Sequence, residues 1–167
     1  MRVHEARLHT RAFSMWSHAH RSIMDCMPYS FLEHTADVRM YVTGRTQEEL
    51  FCDALLGMIA AARPAPGEAG TTPGGGKPVE RTLSVSAPDV TALLIDFLSE
   101  ALVLMHTERE AYLDAHFLRL DERSLEAELR GYVADSFEED IKAVTYHEAD
   151  VKKEKDGTWS TNIVFDI

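Results

Sequence analysis

The sequence predicts an α+β fold in which two helices pack on a largely antiparallel β-sheet. Three observations carry that expectation. Apolar residues recur at helical spacing in two segments only, while the segments before, between and after them alternate as strands do. The resulting element order is β-α-β-α-β-β-β-β, and consecutive strands at the end favour antiparallel pairing. A chain of 167 residues suits one domain with one core.

Residues 1–26 carry four arginines and four histidines against only Glu5 and Asp25 on the acidic side. They lack the apolar stretch of a secretory signal, although their Arg-rich character loosely resembles a transit peptide. We expect a basic, disordered extension ahead of a domain spanning 27–167. From Pro28 onward the pattern becomes regular. Val38, Met40 and Val42 alternate in a first strand that Gly44 ends. Thr46 and Glu49 form a T-x-x-E capping box, and Leu50, Phe51, Ala54, Leu55, Met58, Ile59 and Ala62 recur on one helical face until Pro64 stops the helix.

Residues 63–78 hold four prolines and five glycines, which bury too little apolar surface to offset ordering entropy, so a flexible surface loop is expected. The triple glycine before Lys77 is not a phosphate loop, because Thr71 and Pro78 stand where that motif needs glycine and a hydroxyl residue. Leu83 and Val85 alternate in a second strand. Pro88 suits a first helical turn, opening a helix to about Thr107. Segments 116–120, 124–134, 142–154 and 158–167 then read as strands, with Asp156-Gly157 signalling a type I′ hairpin between the last two.

Composition limits function. Hydrophobic residues make up 45% and charged residues 27%, as in globular chains, and no uninterrupted apolar run approaches a membrane span. The segment Val90–Met105, broken by Asp96, Ser99 and Glu100, reads as a core helix. A formal charge of −11 repels phosphate backbones, which argues against general nucleic-acid binding and favours cations or a basic protein surface. Two cysteines, Cys26 and Cys52, without framework spacing fit a reducing, cytoplasmic setting.

Catalytic signatures are mostly missing. No G-x-S-x-G elbow occurs, and His147-Glu148 begins an H-E-x-x-H zinc motif that Val151 breaks. His34, His106, His116 and His147 show no ligand spacing and read as surface or hydrogen-bonded histidines. The carboxylates are more suggestive. Asp37 opens the first strand beside His34 and Thr35, either as a turn that satisfies backbone groups or as a ligand. Asp96 and Glu100 lie four apart on one face of the second helix, either as a solvated stripe or as the acidic rim of a cation or partner site. Asp166 precedes Ile167, whose terminal carboxylate would stand beside it. Such clustered oxygens suit Ca²⁺, Mg²⁺ or Mn²⁺, whereas a well-anchored closing strand is the plainer reading.

Four segments in order, FLEHTAD (31–37), LLIDFLSEAL (93–102), KAVTYH (142–147) and W-x-x-x-IVFDI (159–167), resemble the archease family over essentially Met27 to Ile167. The resemblance implies a small α+β fold. It also implies a non-catalytic partner role toward an RtcB-type RNA ligase, which seals RNA ends after metal-dependent guanylylation of its own histidine; archeases promote that guanylylation and multiple turnover. It further implies a divalent metal ion held by Asp37, Asp166 and Ile167, and places Lys142 at a characteristic position suited to the ligase contact. Two departures stand out: Arg39 occupies a position where glycine is common, from which it would partly neutralise Asp37, and the 63–78 loop is longer than usual. Outside the resemblance, two readings compete: a metal-dependent phosphoester hydrolase and a chaperone-like interaction module without metal.

Overall fold

The computed structural model describes residues 29–32, 37–65 and 75–167. The 1–26 extension, His34 and Thr35, and most of the Gly/Pro-rich loop lie outside the described residues. Ten elements follow in order: β1 (Tyr29–Leu32), β2 (Asp37–Gly44), α1 (Gln47–Ala62), β3 (Pro78–Ser86), α2 (Val90–Glu108), β4 (Glu110–Leu120), β5 (Ser124–Val133), β6 (Ala143–Thr145), β7 (Lys152–Lys153) and β8 (Trp159–Asp166). The two helices and the antiparallel pairing agree with the sequence. The strands, however, divide into two sheets, β1-β2-β8-β6 with β7 also on β8, and β3-β5-β4.

In β2 the inner residues Met40 and Val42 are fully buried, and the strand pairs with β8 through eight residues in register, from Asp37↔Asp166 to Gly44↔Trp159. The T-x-x-E cap forms as half of a box. The Thr46 hydroxyl accepts from the Glu49 amide at 3.1 Å, but the Glu49 carboxylate takes the Arg45 amide at 2.8 Å, one residue earlier than the motif requires. At its far end Arg63 turns left-handed with φ 49°, and Pro64 prevents continuation. Gly57 lets α1 lie on β2, since a Cβ there would stand 2.2 Å from the Met40 sulfur.

The second helix begins later than expected. Asp89, not Pro88, caps it by accepting the Ala92 amide at 2.9 Å, so Pro88 lies outside the first turn. Over its 19 residues α2 is long and apolar enough to cross a membrane, but its apolar face of Leu93, Leu94, Phe97, Leu98, Ala101 and Met105 is buried in the protein's own core, as a core helix requires. Phe51 of α1, Phe97 of α2 and Phe117 of β4 meet with ring centroids 5.7–6.1 Å apart and tie both helices to the three-stranded sheet.

Three strand expectations need correction. The strand read at 116–120 begins at Glu110, where Glu110 and Tyr112 hydrogen-bond each other inside the protein and so tolerate burial that their polarity argues against. The strand read over 142–154 survives only as β6 and β7. Between them the Asp150 and Val151 amides donate to the Thr161 and Thr91 hydroxyls at 3.1 and 3.0 Å, which diverts backbone donors from the ladder. The β7–β8 connection is wider than a two-residue I′ turn. The Gly157 amide donates to the Glu154 carbonyl at 2.9 Å and the Glu154 amide to the Thr158 carbonyl at 2.7 Å, while only Gly157 has positive φ, at 89°.

Candidate functional site at the acidic end of the five-stranded sheet

Three strands end together at one end of the larger sheet. Asp37 begins β2, Asp166 closes β8, and Ala143 begins β6; in the register Asp166 stands directly opposite both Asp37 and Ala143. Directly opposed residues share a face with Cβ atoms about 5 Å apart, and like charges in that position repel. Asp37 is half-buried and Asp166 exposed. The Lys142 amide donates to the Asp166 carbonyl at 2.8 Å, fixing the β6 entry against the end of β8 and leaving the lysine side chain exposed.

The next rung on the same face comprises Arg39, Val164 and Thr145. Arg39 shares the Asp37 face, but its guanidinium reaches Glu148 at 3.2 Å. Its charge is thus directed to the 146–149 turn, where Glu148 adopts φ 61° and the Ala149 amide donates to the Tyr146 carbonyl at 3.2 Å. His147 is exposed, with Nε2 3.4 Å from Glu148, and extends the same group.

Asp37, Asp166, Lys142 and the backbone of Ile167 are therefore neighbours at one end of the sheet, with His147 held nearby on the turn. Asp96 and Glu100 belong to α2 instead. The Tyr146 hydroxyl donates to the Asp96 carboxylate, which removes Asp96 from a purely solvated stripe, while Glu100 is exposed. His106 binds the Ile141 carbonyl through Nε2 at 2.9 Å, and His116 is exposed on β4, as surface or hydrogen-bonded histidines. Tyr146 was missed by sequence reasoning: strand alternation would place it inward with Val144, but β6 ends at Thr145 and the ring is 57% exposed.

Chemically this end offers two carboxylates and main-chain oxygens, a hard-oxygen set that suits Ca²⁺, Mg²⁺ or Mn²⁺ as part of a shell. Among the described residues no three His, Cys, Asp or Glu side chains converge, so any ion here would complete its coordination from water or a second molecule.

Comparison with known proteins gives one consistent family. Residues 29–167 match the Archease protein family (MTH1598/TM1083). A protein archease of Methanosarcina barkeri is 34% identical over 147 residues, covering 83% of this chain and 95% of that protein. One of Thermococcus gammatolerans is 32% identical, covering 81% and 95%. Among solved structures, Methanobacterium thermoautotrophicum protein 1598 aligns with TM-score 0.60 at 22% identity, covering 85% of this chain and 100% of that one. A Thermotoga maritima archease, described as a possible chaperone, aligns with TM-score 0.57 at 18% identity, covering 81% and 94%.

Proposed function

This chain belongs to the archease family, and from that premise we propose that it is a non-catalytic accessory protein that promotes guanylylation and multiple turnover of an RtcB-type RNA ligase. The observation that supports this most is the Asp37–Asp166 rung. A folded protein gains nothing by placing two carboxylates opposite each other unless a cation or a basic partner relieves them. Arg39, two residues along β2 on that face, is paired with Glu148.

In this reading Asp37, Asp166 and a backbone oxygen of Ile167 hold one divalent cation, with water or ligase groups supplying the rest of its shell. Such an ion, when bound, neutralises phosphate charge during nucleotidyl transfer. The chain's own residues bind and orient. The two aspartates present anionic oxygens at the end of the sheet, the β2–β8 pairing fixes their separation, and Lys142 and His147 flank the approach for contact with the ligase. No nucleophile is needed in the accessory protein itself.

The deciding experiment is single-turnover and multiple-turnover guanylylation of the cognate ligase, with GTP and Mn²⁺, in the presence and absence of this protein. The expected result is a faster approach to guanylylated enzyme and restored turnover at substoichiometric amounts. An unchanged ligase would overturn the reading. Phosphoester turnover by the isolated protein with Mn²⁺ would replace it with a hydrolase.

A further inference from the structure

A second feature lies on α2, outside that end of the sheet. An open groove of about 610 Å³ runs beside the start of the helix, lined by Pro88, Asp89, Thr91, Ala92, Tyr146 and Ala149. Pro88, Ala92 and Ala149 make part of the lining aliphatic, Tyr146 adds an exposed ring, and Asp89 adds a carboxylate. Asp89 is exposed, and Asp96, just outside the lining, accepts the Tyr146 hydroxyl. The bond to Asp96, then desolvation, then the charges of Asp96 and Asp89 raise the Tyr146 hydroxyl above its ordinary range, so both carboxylates lie within electrostatic reach of the ring.

This combination has a defined chemical complement. An aromatic face favours a planar cation laid over it, and flanking carboxylates accept the N–H groups at that cation's edge. A guanidinium fits both demands and an ammonium only the charge, while the aliphatic part of the lining takes the methylene stem. The start of a helix ordinarily disfavours a cation. Here one Asp89 oxygen already accepts the Ala92 amide, and Asp96 lies nearly two turns on, beyond the reach of the end dipole. The chain's net charge of −11 steers basic segments toward the surface.

We propose that this groove is a docking site for a basic segment of a protein partner, which seats an arginine side chain against Tyr146 between Asp89 and Asp96. Only the partner's identity as the ligase rests on the function proposed above.

Two measurements separate the two claims. In the first, an acetylated, amidated tetra-arginine peptide is titrated into the ¹⁵N-labelled protein. Saturable amide shifts confined to 89–92 and 146–149 are expected, with affinity about fivefold above tetra-lysine; shifts spread over the acidic surface, or equal affinities, would overturn the docking site. In the second, the cognate ligase is titrated against the wild type, Tyr146→Ala, Tyr146→Phe, and the double variant Asp89→Asn, Asp96→Asn, in which asparagine preserves the helix cap. Tyr146→Ala and the double variant should each weaken binding about tenfold, and Tyr146→Phe, which keeps the ring, much less. Wild-type binding with unchanged variants overturns the groove, whereas a wild type that ignores the ligase overturns the proposed function and leaves the peptide titration to decide the groove. Self-association that Tyr146→Ala abolishes would assign the surface to a second copy and overturn the proposal.

Discussion

The two sheets treat carboxylates in opposite ways. In the three-stranded sheet Glu110 is 2% exposed, yet Arg81 donates to it twice, at 2.9 and 2.7 Å, and the Tyr112 hydroxyl donates at 2.8 Å. In the five-stranded sheet Asp37 and Asp166 face each other near solvent, and Arg39 on their face pairs with Glu148 instead. Burial without partners would cost several kcal/mol, so the Glu110 network is complete as a condition of folding. Near water an unfavourable pair costs little, so the aspartate rung can be kept for something other than stability. Among the described residues, the completeness of its partners sets Glu110 apart from the aspartates proposed above to act on a cation more clearly than burial does.

The sharpest way to break this contrast is to remove a partner on the buried side. Arg81→Met should lower the denaturation midpoint more than the loss of an exposed pair does, because it leaves Glu110 buried with only Tyr112. Chemical denaturation measures this, and an unchanged midpoint would mean that water reaches Glu110.

The same logic covers the thiol of α1. Burial first, then the charges of Asp114 and Asp53 against an opposing backbone hydrogen bond from Ala115, push Cys52 up to about 11 from 9.0. A folded-state value above the unfolded one favours the protonated thiol, so this contribution to stability is present below pH 9 and falls as pH rises through about 11. At pH 8 native Cys52 should carry about a hundredfold less thiolate than in denaturant and react with iodoacetamide correspondingly more slowly. Equal rates in the two states would contradict it.

On the exposed side the sign reverses. Asp37→Asn or Asp166→Asn relieves a like-charge pair, so stability should hold or rise by up to about 1 kcal/mol, while Ca²⁺ or Mn²⁺ affinity drops at least about tenfold in calorimetry. If either variant loses stability and keeps cation affinity, the rung is structural and the contrast fails.

The smallest effect belongs to Arg39, whose pair with Glu148 is partly exposed on both sides. Arg39→Gly should cost under about 1 kcal/mol for the pair and leave cation affinity within about threefold, because the guanidinium is directed to the turn. A much larger gain in affinity would show that Arg39 neutralises Asp37 directly.

Periodicity alone determined a good part of this protein. The α1 face from Leu50 to Ala62, the buried face of α2, the inward Met40 and Val42, and the antiparallel closing strands all follow from spacing, because burying an apolar stripe is a local demand written at 3.6 or 2 residues. The aspartates of the candidate site were legible as residue types, as was the Thr46 cap; the Asp89 cap of α2 was not, because Pro88 had suggested a first turn one residue too early.

Tertiary structure decided everything that depends on pairing. The division into two sheets, the Asp37↔Asp166 register and the alignment of Ala143 with Asp166 bring together residues far apart in the chain. No local pattern encodes which strand lies beside which. The early start of β4 goes with Arg81 reaching Glu110 from 29 residues away, and the outward Tyr146 with the turn in which the Ala149 amide donates to its carbonyl just after β6 ends. Hydrogen-bond partners are chosen by position in space, so a polar residue whose partner is remote reads from sequence as exposed, and an apolar one whose strand is cut short reads as buried.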